Sequence, residues 1–342
     1  MTHEHGYTPA PEMERICQKE ASRAYNRAGL GIFLFILVPQ VIVLAVQLVV
    51  GMLTPDLLSN IYFLWGLQVV ALYMTAAPIA ILVIGKPSPL LPLPQKQKAS
   101  PLMLGTVFCL MMTASVIGTV ISTILMRIAE MITRHSYENT LDSVLNETPM
   151  PLIVLLVVIV GPLIEELVFR RALMDRLLPH GEISAILLSG ITFGLMHGNF
   201  FQLFYTTAIG VLLAYVYART RNLLYPLLLH MVFNFWGSVL PLAFLDGLPE
   251  NLDTMTNEEM LAWAAENLIP TVFLMLRALA MYGMALAGFI LVLVFIRHIR
   301  FEPCPLPLPR RGAWRIRFLN PGMILCFGLA ILFLLISLIP PV

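Results

Sequence analysis

Charge is scarce in this chain: 12% of its 342 residues are Asp, Glu, Lys or Arg, while 58% are hydrophobic. Soluble domains carry about twice that charged share, so an ordinary water-facing surface is excluded. With a net charge of +1 and no basic stretch interleaved with stacking aromatics, nucleic acid is excluded as a partner. Cysteine is sparse too. Cys17, Cys109, Cys304 and Cys326 lie far apart with no CxxC spacing, which argues against a zinc knuckle or redox pair and for free thiols. There is no internal repeat and no low-complexity tract. An H-E-x-x-H helix, which would give a protease two zinc ligands and a base, is missing, as is G-x-S-G. Ser184 and Ser189 have neither the glycine context nor the partner that would make a serine nucleophile.

Long apolar runs are what the chain has, and they imply an all-α, polytopic membrane bundle with the bilayer as partner. Runs near 29–53, 61–85, 101–126, 150–178, 183–199, 201–218, 223–245, 270–296 and 322–341 predict eight or nine transmembrane helices. The short fifth or the last is the one in question. Met1 to Arg27 holds Glu4, Glu12, Glu14 and Glu20, too long and too acidic for the charged part of a cleaved signal, so the first span is expected to persist.

Basic loops stay cytoplasmic. Arg15, Lys19, Arg23 and Arg27, then Lys86, Lys96 and Lys98, then Arg219 and Arg221, then Arg297 to Arg317 fall on one side, while Thr54–Asn60 and the acidic Asp246–Ile269 fall on the other. The N-terminus is therefore expected inside. The Pro-rich stretches Lys86–Ser100 and Glu302–Arg317 read as stiff linkers lying on anionic headgroups. Thr256–Asn267 reads as a short amphipathic surface helix, and Arg277, inside the eighth span, as a residue that snorkels outward.

Two adjacent carboxylates, Glu165 and Glu166, interrupt the apolar run from Pro151 to Leu173. Each costs about 2.5–3.5 kcal/mol at membrane depth, which marks a functional site. Arg170 shares a helical face with Glu166 and can pair with it. That leaves Glu165, turned about 100° away, as an unpaired candidate base. His197 follows Phe193 by one turn, and Asn234 follows His230 by one turn. An imidazole and an amide on one face could bind a developing oxyanion, and Phe193 would shape the pocket. Spans four and five turn near Pro179–Gly181. Glu165 lies 14 residues before Pro179 and His197 14 residues after Ile183, so both sit roughly 20 Å from the turn and can meet. His230, eight residues past Asn222, is shallower, at roughly 12 Å. The cavity they share is expected to open inward. Each residue has a plainer reading: a packing histidine, an interhelical asparagine bond, a structural ion pair for Glu166 and Arg170.

These motifs, Glu165-Glu166-x-x-x-Arg170, Phe193-x-x-x-His197 and His230-x-x-x-Asn234, together with Gly210-Val-Leu-Leu-Ala-Tyr, Arg219-Thr220 and Tyr225-Pro226, resemble the CAAX prenyl protease type II and bacteriocin-processing (CPBP, or Abi) family. The resemblance covers Leu152 to Trp236 and departs from the pattern at no core motif position. It implies an all-helical intramembrane endopeptidase in which Glu165 activates water, His197 and His230 attend the site and Asn234 is an oxyanion donor. A membrane-associated peptide or protein, of CAAX or bacteriocin-leader type, would be the substrate, and a bacterial plasma membrane the setting. The chain then divides into a cytoplasmic segment (1–28), N-terminal spans (29–148), a catalytic core (149–245) and C-terminal spans with the acidic outer loop (246–342).

Metal use stays open at this point. Glu165, His197 and His230 would make an acceptable zinc set, yet the same groups serve a metal-free mechanism. The metal-free one is favoured because Asn234 already offers an oxyanion partner. Two other classes of function are carried beside the protease: a transporter with midplane charges and a catalytically silent scaffold or immunity protein.

Overall fold

The computed structural model describes residues 11–87, 97–137, 139–243, 255–295, 301, 308 and 312–339. Cys304, His3, Glu4, His5, His298, Asp246 to Asp253 and most of both Pro-rich linkers lie outside them. All regular structure among the described residues is helical: α1 Pro11–Leu53, α2 Ile61–Ile84, α3 Pro101–Thr133, the short α4 Thr140–Glu147, α5 Met150–His180, α6 Glu182–Leu195, α7 Phe200–Thr220, α8 Leu224–Leu242, α9 Asn257–Glu266, α10 Leu268–Phe295, α11 Ala313–Phe318 and α12 Pro321–Ile336. Seven of these (α1, α2, α3, α5, α7, α8 and α10) are long and apolar enough to cross a bilayer, and α6 and α12 are shorter apolar helices. The protein is a multi-pass membrane protein with an all-α bundle.

Two spans outrun their expected limits. Helix α1 starts at Pro11 rather than near 29, because Ala21, Ala24, Tyr25 and Ala28 are fully buried against the bundle and carry the helix onward. Helix α3 runs on to Thr133, about two turns past 126, closing with Arg134 in the left-handed region. Starts are capped as their residues allow: Ser100 accepts from the Met103 amide and Asn60 from the Phe63 amide, satisfying donors a first turn leaves open. In α9 Thr256 and Glu259 form a reciprocal capping box, and the Thr256 amide holds the exposed Glu259 carboxyl below its ordinary pKa. Cys17, Cys109 and Cys326 are free thiols.

The main core joins α1, the end of α2, α5, α6, α7 and α12. A second cluster ties α3, α7 and α8 through Val107, Met111, Ile209, Leu213, Val216 and Leu229. Helix α10 lies along α3, with Thr113 Oγ1 donating to the Ala285 carbonyl at 2.7 Å. Glycine sets the closest crossing. A Cβ on Gly190 would collide with Val211 and one on Gly194 with Thr207, so α6 and α7 meet backbone to backbone, the small-residue packing that lets helices associate in lipid. Gly181, at φ 135°, makes the α5–α6 turn.

Gly190→Leu and Gly194→Leu should each lower the melting temperature in detergent, since overpacking costs about 1–3 kcal/mol even where side chains can yield and here backbone stands in the way. Gly328→Ala, whose added Cβ meets nothing within 4 Å, should melt with the parent protein. Equal melting of all three would mean that α6 and α7 do not cross at these glycines.

Candidate functional site

Helix α5 carries the acidic pair between two wide-turned stretches. Residues Ile153–Val160 and Leu167–Met174 are π-helical, with Gly161–Glu166 α-helical between them. The Gly161 amide reaches back five residues to the Leu156 carbonyl. The next carbonyl, Val157, would look five residues on to Pro162, which has no N–H. Asn234 Nδ2 of α8 donates to that carbonyl at 2.9 Å. Proline and the wide turn thus free a backbone acceptor, and Asn234 is held in place by it.

Glu166 and Arg170 are both wholly buried, with Arg170 Nε 3.0 Å from Glu166 Oε2. The contact is an ion pair rather than an aligned hydrogen bond. Arg170 Nη1 donates to Ser189 Oγ at 3.2 Å, and its guanidinium lies over Phe193, 5.0 Å from the ring centre. Glu166 does not stop at Arg170. Its Oε1 takes His230 Nδ1 at 3.0 Å, while His230 Nε2 stands 3.7 Å from Glu165 Oε2. A carboxylate held by a guanidinium accepts, so His230 Nδ1 donates to Glu166 while Nε2 faces Glu165. Glu165 stands beside His230 as expected, and His230, a side chain from another helix, also reaches Glu166, so that it lies between both carboxylates.

His197 lies just past the end of α6, its Nδ1 donating to the Phe193 carbonyl at 2.8 Å, and Gly198 at φ 67° turns the chain into α7. The Phe193 ring touches both imidazoles edge-on, 5.2 Å from His197 and 5.6 Å from His230. Glu165, Phe193, His197, His230 and Asn234 all line one cavity of about 570 Å³. A second, of about 340 Å³, lies between α1, α2 and α12 and shares His197. The arrangement presents a carboxylate, two imidazoles and an amide to one space. Among the described residues no group of three His, Cys, Asp or Glu side chains is gathered closely enough to hold a metal ion as it stands.

The cavity extends away from the basic loops. Its wall runs from Glu165 past Thr119 and Ser122 of α3 to Trp65, Asn139, Leu141 and Leu145, at the ends of the bundle that carry 54–60 and 134–149. The other end is plugged by charge. Asp175 takes Tyr217 Oη at 2.7 Å, Arg221 at 2.8 Å and Arg171 at 2.7 Å, and Arg219 meets Glu182 at 2.5 Å. The expectation for Arg277 is corrected: it lines the cavity and donates from Nη2 to the Trp236 carbonyl at 3.2 Å rather than snorkelling outward. Nothing in α10's residue pattern signals which way that side chain turns. The Asp175 cluster had a weak signal, an acid one turn from Arg171, but its Arg221 and Tyr217 partners come from another segment.

Residues 147–236 match the family model of the type II CAAX prenyl endopeptidase Rce1-like domain. The chain is 34% identical over 86 residues to "Putative membrane peptidase YdiL" of Bacillus subtilis (strain 168), covering 25% of this chain and 35% of that protein. It is 29% identical over 127 residues to "Membrane-embedded CAAX protease MroQ" of Staphylococcus aureus (strain USA300), covering 35% of this chain and 50% of that one. It thus spans half or less of the curated relatives' length. No solved structure matches.

Glu166→Ala and Arg170→Ala should each destabilise the protein by about 3–5 kcal/mol, because each leaves its partner buried and uncompensated. Thermal melting in detergent reads this directly. Melting of both variants with the parent would show that the pair does not hold the core together.

Proposed function

We propose that this chain is a membrane-embedded endopeptidase that cleaves a membrane-associated peptide or protein, of CAAX or bacteriocin-leader type, with water activated by Glu165. The observation carrying this is His230 set between Glu165 and Glu166, on a cavity that His197 and Asn234 also line. The match of 147–236 to a peptidase family supports it, as do relatives named as membrane peptidase and CAAX protease.

In this reading Glu165 takes a proton from water, whose oxygen attacks the scissile carbonyl. The carbonyl π electrons move to oxygen, and the oxyanion is met by the second N–H of Asn234, the first being spent on Val157. Collapse re-forms the carbonyl and breaks the C–N bond, and Glu165 returns its proton to the leaving amine. His230, bound to Glu166, positions Glu165, and the Glu166–Arg170 pair fixes His230. His197 faces the reacting carbonyl across the cavity. No step is routed through a metal.

The protein is proposed to lie in a cell membrane, bacterial by this reading, with its N-terminus cytoplasmic, the side on which the basic loops fall. The cavity then faces the outer half of the bilayer.

Glu165→Gln, His197→Ala and His230→Ala should abolish cleavage of a membrane-tethered peptide library by the purified protein. Asn234→Ala should lose roughly 10²- to 10³-fold in kcat, the usual cost of one oxyanion donor. A demetallated preparation should keep its activity. Undiminished turnover by Glu165→Gln would overturn the mechanism, and one zinc per chain whose removal abolishes activity would overturn its metal-free form.

A further inference from the structure

The end of the cavity away from Arg170 holds three polar atoms that the protein itself does not satisfy. Ser122 Oγ, Trp236 Nε1 and Arg277 Nε are buried and have no hydrogen-bond partner, and all three residues line the cavity. They come from α3, α8 and α10, yet the packing places them together. The Arg277–Trp236 bond joins α10 to α8. Thr113 pairs with Ala285 across the antiparallel α3–α10 contact, and eight residues along each helix put Arg277 level with Ile121, beside Ser122.

The chemistry of the cluster is one-sided. Indole N–H and guanidinium N–H only donate, and a serine hydroxyl donates when offered an acceptor. Among the described residues no carboxylate pairs with Arg277, whose one hydrogen bond goes to a neutral carbonyl. A guanidinium without a counter-charge at membrane depth is costly, and turning toward the headgroups would relieve that cost. It turns into the cavity instead. Between it and Glu165 the α3 wall is hydroxyl-bearing, with Ser115 and Thr119, groups that suit a peptide backbone rather than an acyl chain.

We infer that Arg277, Trp236 and Ser122 form an anion subsite that binds a carboxylate of the peptide substrate, its C-terminal carboxylate or an acidic side chain, at a distance from the scissile bond. This deepens the peptidase reading and rests on it for the identity of the ligand. Arg277 is a specificity residue, outside the residues that match the peptidase family.

The test is binding of an N-dansyl Leu/Ala decapeptide, as free acid and as C-terminal amide, to the full-length Glu165→Gln protein in phosphatidylcholine nanodiscs, alongside turnover by the wild type. The free acid should bind about ten- to a hundred-fold more tightly than the amide, the scale of hydrogen bonds to a charged group. Added Arg277→Gln should erase that difference by weakening the acid alone. Arg277→Lys should keep part of it, and Trp236→Phe, which removes one N–H and preserves the ring, should weaken the acid several-fold. In the active enzyme Arg277→Gln should raise KM for the acid and leave kcat within about two-fold. Equal binding of acid and amide, no detectable binding of the acid, or a preference that survives Arg277→Gln would overturn the subsite. So would loss of the preference when phosphatidylglycerol replaces part of the phosphatidylcholine, which would make a lipid phosphate the ligand. Absence of turnover with the binding preference intact would count against the peptidase reading alone.

Discussion

A guanidinium and a carboxylate buried completely in the middle of a membrane bundle constrain everything packed around them. Arg170 and Glu166 are one turn apart on α5, so their attraction is local. Their remaining hydrogen-bonding capacity is not, and must be met from other helices. Ser189 of α6 takes one guanidinium N–H, Phe193 covers the guanidinium face and His230 of α8 takes the second carboxylate oxygen. The demand of one ion pair thereby specifies how three helices sit against each other. The glycines that bring α6 against α7 complete the same arrangement by letting Phe193 reach the centre, where a Cβ on Gly210 would press on its ring.

Charge is also used to close the bundle at one end. Asp175 is shared by Arg171, Arg221 and Tyr217, and Glu182 is held by Arg219. These ties join α5, α6 and α7 where the basic loops emerge. The opposite end has no comparable knot among the described residues, and the cavity extends toward Trp65 and Leu145 there.

What could be read in the sequence follows the range of the interaction. Apolar run length placed the helices within a few residues, and the i, i+4 spacing of Glu166 and Arg170 anticipated their contact because both belong to one helix. The helix starts and ends that slipped, at Pro11 and Thr133, did so where tertiary burial or a mere absence of breakers carried the helix past the apolar run. His230 reaching both carboxylates required the relative depth of α5 and α8, which residue counting put roughly 12 Å against 20 Å from the same face. Wide turns and helix tilt make up such differences, and neither has a spacing signature. The aim of Arg277 depended on the rotation of α10 about its own axis. A helix exposed over much of its length has little amphipathic asymmetry to reveal that angle.

The wide turns on either side of the acidic pair also bear on how such a helix can change over evolutionary time. A π turn holds one residue more than the α turn it replaces, so it accommodates a surplus residue without ending the helix. In α5 that surplus lies before Gly161, and its freed carbonyl has been taken up by Asn234. The short stretch Gly161–Glu166 is therefore phased against α8 through a side chain and not through an unbroken hydrogen-bond ladder. Drift in the length or tilt of Met150–Val160, driven by membrane thickness or by its neighbours, can be taken up in the wide turn before it rotates the carboxylates away from His230. The helix behaves as two shafts joined by a slipping coupling, and the acidic pair rides on the half that is pinned.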